Sequence, residues 1–230
     1  SVMTDWNPAE MIGLKPKPLA LSLYQELITD NVWAQSRKDY GYRNVESNHL
    51  MNTFFGTPYI DIRVDFNSWI PASLSKELSE KLINFYLVKF KKNRNLHDKV
   101  EFYIVFTCYT FETKNKIKSL LNKYFSSKEI YLIINALKKI NIGSFKLFHQ
   151  EIKKINKLKN KQKKISKSNI DYIAKIYWLI EDCKKYGSRP FAGLARCAFI
   201  STELINSLVT KKIITTKERE FFLQSIETLT

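Results

Sequence analysis

A chain of 230 residues with 44% hydrophobic residues, six Gly and six Pro excludes collagen-like and intrinsically disordered proteins, and it is long enough to form one large domain. Its net charge is +16, and its basic residues are 31 Lys and only 7 Arg. Because nucleic-acid recognition relies on Arg, we expect a solvated basic surface, and we keep nucleic-acid binding as an alternative. The apolar runs are too short for a membrane span and no basic-then-apolar leader opens the sequence, which predicts a cytoplasmic protein.

The first predicted elements are one helix and two strands. Leucines recur at helical spacing over 18–33 and predict a helix. Over 57–71 apolar and polar residues alternate strictly, and this period of two predicts a half-buried strand. The polar face of that strand carries Asp61, Arg63, Asp65 and Asn67. The run at 100–109 is apolar on both faces and predicts a second, more buried strand.

The sequence after these strands has helical periodicity. An apolar stripe predicts a helix from Ser73 onward, and Ser126 with Glu129 forms a capping box that starts another. Gly143 is predicted to end that helix, and a further apolar stripe begins at Phe145. We therefore expect several helices in succession here.

A run of eight lysines without an acidic residue lies within 153–167. Its apolar stripe continues, and Ser168 with Asp171 has the pattern of a cap on the next helix. We predict a solvent-facing helical hairpin here, with a basic binding arm as the alternative. The last helix is predicted to start at a capping box of Thr215 and Glu218.

These elements predict an α+β protein that is mainly α, with about eight helices and a small antiparallel sheet. We expect a single, mainly helical domain over 1–230, with a mixed helix and strand half at 1–112 and a helical half at 113–230. Because Ser1 is not an initiator residue, and the stretch DWNPAEMIG follows with almost no lead-in, we expect the chain to be a piece of a longer protein.

The stretch GSRPFAGLAR separates two apolar, helix-like segments. We predict a helix over 169–186 that ends at Gly187, and a second helix with Pro190 in its first turn. The predicted packed side of the first helix carries Ile173, Ile176, Tyr177 and Ile180. This stretch is either a structural corner alone or a corner that also binds a ligand.

In the second interpretation the corner is an anion site. The new helix would begin with free amide groups beside Arg189, and Arg196 follows seven positions later on the same face. Glu181 and Asp182 lie just before the corner, where they would bind hydroxyl groups or orient the arginines. A polar or phosphorylated ligand suits such a corner.

The polar face of the predicted strand has two interpretations as well. Asp61, Arg63 and Asn67 are residue types that bind a sugar-like or polyol ligand. The same row of alternating charges can instead pair along a solvent-exposed strand, with little effect on stability.

Motifs of known catalytic machinery do not occur in the sequence. There is no phosphate-binding loop, no G-x-S-x-G nucleophile elbow and no dinucleotide-binding fingerprint. The three cysteines lack a C-x-x-C spacing and the three histidines lack a metal-ligand spacing. We therefore expect no catalytic group, no metal site and no cofactor within this chain.

Four long blocks of the sequence resemble, in order, the phosphoenolpyruvate synthase and pyruvate phosphate dikinase group of PEP-utilizing enzymes. They read TDWNPAEMIGLKPKPLALSLYQELITDNVW, GTPYIDIRVDFNSWIP, LHDKVEFYIVFTCY and IYWLIEDCKKYGSRPFAGLARCAFI. The resemblance covers most of 4–210 and weakens across the lysine-rich run.

In that group an ATP-grasp domain uses ATP and Mg²⁺ to phosphorylate a histidine on a swivelling domain, which carries the phosphoryl group to an acceptor. Neither the ATP-binding elements nor the phosphohistidine loop can be found in these 230 residues. The resemblance therefore implies the segment between those domains, similar to the helical acceptor-binding domain of rifampicin phosphotransferase. The matching positions are Asn7, Glu10, Pro18, Leu19 and Ser22, and Gly56 and Tyr59 of a G-x-x-Y element.

The resemblance implies an acceptor-binding domain of a dikinase-type phosphotransferase, with the ATP-grasp and phosphohistidine domains as partners. The arginines would hold the anionic part of the acceptor or the phosphoryl group, and the carboxylates and the amide would position hydroxyl groups. The predicted substrate-binding residues are Arg189, Arg196, Arg63, Asp61, Asn67, Glu181, Asp182 and Glu10. The alternative is a non-catalytic basic module that binds an acidic partner or nucleic acid.

Overall fold

The computed structural model describes residues 3–4 and 6–226, and it confirms an α+β class that is mainly α, with a small antiparallel sheet. Ser1 and Asp5, named in the opening of the sequence, lie outside these residues. The strands are β1 (Met3–Thr4), β2 (Met51–Phe54) and β3 (Thr57–Asp61). The helices are α1 (Trp6–Ile12), α2 (Pro18–Tyr24), α3 (Val32–Asp39), α4 (Ile62–Ser68), α5 (Lys76–Lys92), α6 (Val100–Tyr103), α7 (Thr113–Leu121), α8 (Ser127–Lys167), α9 (Tyr172–Cys183), α10 (Arg189–Thr210) and α11 (Thr216–Gln224).

The helix predicted over 18–33 is interrupted. α2 continues into a π-helical turn over Gln25–Thr29, and α3 starts after a break at Asn31, whose φ is 97°. This positive φ breaks the regular helical backbone.

The sheet has the strand order β1-β3-β2, and both pairs are antiparallel. β2 and β3 form a hairpin in which Phe54 pairs with Thr57. The two residues of its turn, Phe55 and Gly56, have φ values of 50° and 80°, as a two-residue hairpin turn with two left-handed positions requires. The glycine of the G-x-x-Y element therefore has a conformational role.

The strand predicted over 57–71 is only partly correct, because β3 ends at Asp61 and α4 follows directly. The Asp61 carboxylate accepts hydrogen bonds from the backbone N–H groups of Arg63 (2.8 Å) and Val64 (3.2 Å), and this N-cap favours a helix. In a helix, residues two apart no longer share a face. Asp65 is accordingly buried while Arg63 is exposed, and the predicted polar row does not form.

The second predicted strand, over 100–109, is wrong. α6 is followed by an irregular buried segment whose backbone is bonded by side chains of other elements. The Tyr86 hydroxyl accepts from the N–H of Phe106 (3.2 Å). The Asn141 amide bonds both the N–H (3.0 Å) and the carbonyl (2.8 Å) of Tyr109. These side chains bond the backbone groups that a neighbouring strand would otherwise bond, so the segment is buried without being part of a β-sheet.

The capping box at Ser126 and Glu129 is confirmed as the start of α8, but Gly143 does not end this helix. α8 runs on to Lys167, a length of about 60 Å at 1.5 Å per residue. A glycine inside a helix costs only about 1 kcal/mol relative to alanine. The packing of α8 against α10 outweighs that cost.

The helix caps beyond α8 are partly as predicted. Asp171 rather than Ser168 caps α9, since its carboxylate accepts from the N–H of Ala174 (2.9 Å). Ser168 instead closes α8 by donating to the carbonyl of Ile165 (2.6 Å). The capping box that begins α11 at Thr215 is confirmed.

The predicted corner at Gly187 is wrong. α9, a π-helical turn over Lys184–Ser188 and α10 form one uninterrupted helix. The N–H of Arg189 donates to the carbonyl of Lys184 five residues earlier, and the wider turn relieves the clash that Pro190 would make in a regular α-helix. The free helix N-terminus on which the predicted anion site depended is therefore replaced by a bonded turn.

Two regions of the molecule differ in how far their apolar side chains are buried by neighbouring elements. We call residues 153–183, where the end of α8 packs against α9, the arm, and we call the remainder the body. The main core of the body includes Phe66, Tyr86 and Leu137. In α8 the last buried residue is Glu151, and the predicted packed side of α9 is exposed at Ile173, Ile176 and Tyr177.

Within the residues that the structure describes, no helix combines the length and apolarity needed to cross a membrane.

Candidate functional site

Two arginines from distant parts of the chain meet at the buried ring of Trp69. The guanidinium carbon of Arg37 lies 3.4 Å from the ring centroid, and that of Arg196 lies 4.9 Å from it. Tyr42 contacts the same ring edge-on, with centroids 5.4 Å apart. An indole ring stabilises a nearby guanidinium through cation–π interaction, so Trp69 holds both cations in one place. We call this group the Trp69 cluster.

Arg37 is fixed by partners on α4. Its Nη1 donates to the Asp65 carboxylate (2.9 Å) and to the Ser68 hydroxyl, which in turn donates to the Asp65 carbonyl (2.5 Å). These bonds join α3 to α4 and neutralise the charge of Arg37.

Arg196 has fewer partners. It is 8% exposed, and its Nη2 donates to the Thr107 hydroxyl (3.0 Å) while its guanidinium carbon lies 4.2 Å from the Phe199 ring centroid. Among the described residues its Nε has no hydrogen-bond partner and the guanidinium makes no ion pair. A buried guanidinium with an unused donor is able to bind a carboxylate or phosphate oxygen.

Titratable groups beside the two arginines have shifted pKa values. Burial raises the pKa of Glu101, and the guanidiniums of Arg196 and Arg37 partly oppose this. Burial also raises the pKa of Tyr42 to about 12, and its hydroxyl donates to the carbonyl of Thr107 (2.5 Å). The cluster therefore places two guanidiniums near a carboxyl that takes up a proton more readily than an exposed one.

Of the predicted site residues, only Arg196 belongs to the Trp69 cluster. Arg189 lies seven positions earlier on α10, where its Nε and Nη2 bind both oxygens of Asp39 (2.7 and 2.8 Å) and its Nη1 donates to Gln35 (3.2 Å). This bidentate pair attaches α10 to α3. Arg189 also lines a polar groove of about 270 Å³ together with Glu181.

The other predicted acidic residues at the former corner have partners of their own. Glu181 pairs with Lys184 (2.5 Å), one turn further along the helix. Asp182 is buried and faces α8, where it pairs with Lys161 (3.4 Å).

The predicted residues of the N-terminal half lie elsewhere. Asp61 is the N-cap of α4, and Asn67 donates to the Arg63 carbonyl (2.8 Å) and accepts from Arg43 (3.1 Å). Arg63 is exposed on α4, and Glu10 is exposed on α1. The structure therefore distributes the predicted residues over several surfaces, and their binding roles stay predictions.

The sequence interpretation missed Arg37, Trp69, Glu101 and Thr107. Trp69 lies in the second of the four blocks that carry the family resemblance, and Glu101 and Thr107 lie in the third. Arg37 follows the first block by four residues. Membership of these blocks was thus the signal that could have found them, because no local motif surrounds any of the four.

Across residues 3–4 and 6–226, no group of three His, Cys, Asp or Glu side chains is placed to hold a metal ion. Comparison of the chain with protein-family models, curated proteins and solved structures finds no significant match.

Proposed function

We propose that this chain is the acceptor-binding domain of a dikinase-type phosphotransferase, in which a phosphohistidine delivers the phosphoryl group to an acceptor held at the Trp69 cluster. ATP and Mg²⁺ would be bound by another domain of such an enzyme, and no step within this chain depends on them. The proposal rests on the resemblance of four sequence blocks to the PEP-utilizing enzymes and on the way these blocks meet in space.

The observation that supports the proposal most is this meeting of the blocks. Trp69, Thr107 and Arg196 come from three different blocks and are each more than thirty residues apart in the sequence, yet they are in mutual contact through Arg196. Arg37, next to the first block, contacts the same ring. When separate sequence blocks come together around an unpaired hydrogen-bond donor, a binding site that they share explains this better than a separate structural role for each block.

The chemistry of the cluster suits an anionic acceptor. The unpaired Nε of Arg196 would bind a carboxylate or phosphoryl oxygen, as arginine side chains commonly do. Glu101, with its raised pKa, would accept the proton of an acceptor hydroxyl as the phosphoryl group arrives. Asp65 would hold Arg37 in place rather than bind ligand.

Isothermal titration calorimetry with phosphoenolpyruvate, pyruvate and inorganic phosphate tests the proposal. We expect saturable binding of at least one of these anions, and a loss of about tenfold or more in affinity for Arg196→Gln. Arg189→Gln is the matched control, because it removes an arginine from the same helix that is already paired with Asp39. Thermal unfolding followed by circular dichroism checks that both variants fold.

Two results would contradict the proposal. One is the absence of saturable binding for all three anions. The other is an equal loss of affinity in Arg196→Gln and Arg189→Gln, which would indicate a general effect of charge rather than a site at Trp69.

A second candidate function, a non-catalytic module that binds an acidic protein partner, is favoured by one observation on the arm. Tyr172 and Ile173 at the start of α9 are 83% and 81% exposed, although both are large apolar residues. The arm also carries nine lysines against three acidic residues. Exposed apolar side chains amid lysines fit an acidic protein surface better than the sugar-phosphate backbone of nucleic acid.

Fluorescence anisotropy separates this candidate from nucleic-acid binding. We expect an acidic amphipathic helical peptide to bind the chain and to lose affinity on Ile173→Ser, with Ile213→Ser, an exposed isoleucine outside the arm, as control. Binding of a short DNA duplex that weakens steeply with salt and is unaffected by Ile173→Ser would contradict it.

A further inference from the structure

A groove on the body, separate from the Trp69 cluster, lies along α5. Its walls come from α5, the end of α7 and the connection from α7 to α8, and its volume is about 600 Å³. This volume lies in the range of pockets that enclose small organic ligands.

The floor of the groove is aromatic and fixed. The Phe85 ring packs on Phe125 with centroids 6.1 Å apart and on Tyr124 at 5.8 Å, so the three rings hold one another in place. Val88 and Tyr124 leave 54% and 61% of their surface exposed on either side. The apolar part of a bound ligand would remove these exposed side chains from water, which favours binding.

The polar end of the groove is cationic. Lys89 extends from α5 and its ammonium donates to the carbonyl oxygens of Tyr103 and Ile104 (3.3 Å to the latter), which leaves the third proton for a ligand. Lys92 lies one turn further along the same wall. Of the described residues that line the groove three are lysines and none is a carboxylate, and Lys81 at the rim already pairs with Glu129.

The ammonium of Lys89 is held under conditions that favour a counter-anion. Burial and, to a smaller extent, the charge of Lys116 on α7 together lower its pKa to about 8. The other groups that face it are the Phe106 ring, 5.8 Å from its nitrogen, and the two carbonyl oxygens. Among the residues that the structure describes, no acidic side chain forms an ion pair with it. A carboxylate that enters the groove would supply that partner.

We propose that this groove is a binding site for a small organic monoanion with an apolar body, such as a medium-chain or aromatic carboxylate, whose carboxylate binds the Lys89 ammonium and whose body lies on Phe85, Tyr124 and Phe125. The third proton of the Lys89 ammonium would donate a hydrogen bond to one carboxylate oxygen. The aromatic floor would pack against the alkyl chain or the ring of the ligand. The site is independent of the proposed phosphotransferase role.

Calorimetric titration with decanoate, kept below its micelle concentration, tests the proposal, with decanol as the uncharged analogue. We expect decanoate to bind saturably, and we expect decanol to bind about tenfold more weakly because it lacks the charge-assisted hydrogen bond. Lys89→Met should weaken decanoate to the level of decanol. Lys91→Met is the matched control, since Lys91 is an exposed lysine of the same helix that does not line the groove.

The pH dependence gives a readout that a merely structural lysine would not. Decanoate affinity should fall as pH rises from about 7 to about 9.5, because Lys89 loses its proton, and this fall should disappear in Lys89→Arg. Val88→Asp, which places a negative charge on the wall, should abolish binding. Equal affinity for decanoate in Lys89→Met and Lys91→Met, or no saturable binding by the wild type, would overturn the proposal.

Discussion

The two halves of α8 have the same periodicity but different surroundings. In the body, Ile133, Leu137 and Ile140 are buried by α10 and by the elements around α5. In the arm the stripe continues to Ile165, yet it packs only against α9 and the π-helical turn that follows α9. No residue of α8 after Glu151 is buried. The difference shows that an apolar stripe indicates which face of a helix is covered, but the number of packed layers decides how strongly that face stabilises the fold.

The sharpest test of this comparison is a matched pair of leucine substitutions on α8. Leu137→Ala should lower the free energy of unfolding by about 3 kcal/mol, because it leaves a cavity in a fully buried site. Leu158→Ala, in the half-buried arm, should cost about 1 kcal/mol or less. Urea unfolding followed by circular dichroism measures both, and equal losses would mean that the arm is covered as well as the body.

The next largest effect on the free energy of unfolding is expected at two glycines within helices, Gly193 and Gly143, which differ in their surroundings. A Cβ added at Gly193 on α10 would lie 2.4 Å from the Tyr40 hydroxyl oxygen, so Gly193→Ala should destabilise the protein by about 1–3 kcal/mol. Gly143 on α8 has nothing within 4 Å of the added atom. Gly143→Ala should therefore raise stability by up to about 1 kcal/mol. A stabilising Gly193→Ala would refute the close packing of Tyr40 on α10.

The pH dependence of the folding stability tests whether Lys89 is buried in the body. Its folded-state pKa of about 8 lies below the ordinary value near 10.4, so between these values the unfolded chain holds a proton that the folded chain has released. Lys89 should therefore add stability as pH rises from about 8 to about 9.5, while the buried thiols of Cys108 and Cys197, whose pKa values are raised by burial, act in the opposite direction. Chemical unfolding at several pH values should show the stability of the wild type rising relative to that of Lys89→Met over this range, and pH profiles that run parallel in the two proteins would contradict the assignment.

The smallest effect is expected on the exposed face of the arm. Tyr172→Ser and Ile173→Ser should each change the free energy of unfolding by less than about 0.5 kcal/mol, because both side chains are mostly in water. Thermal unfolding measures this. A loss larger than about 1 kcal/mol would show that the face packs against something in the isolated chain.

Much of the fold was predictable because its local signals agree with its packing. The capping boxes at Ser126 and Thr215 and the stripe of α5 all gave helices where they were expected. The failures occur where a local signal opposes either another local signal or a distant contact. Alternation over 57–71 indicated a long strand, but the carboxylate of Asp61 caps a helix in the middle of it.

The candidate site was less predictable for a related reason. Arg196 was found because it belongs to a conspicuous segment, but its partners Trp69 and Thr107 lie far away in the sequence. The expected ligand-binding amides after Gly187 do not exist, because the π-helical turn accommodates Pro190 without a break. Pairings between residues this far apart depend on tertiary packing, which neither periodicity nor capping signals specify.

The uninterrupted helix from α9 into α10 has a mechanical consequence. Tyr172 and Arg196 sit on the same rod, 24 residues or about 36 Å apart. A load on the outer end of this helix would be passed on toward its inner end, where the guanidinium of Arg196 lies beside the ring of Trp69. The π-helical turn between them is the place where such a lever would flex first, since its hydrogen bonds are the least regular along the rod.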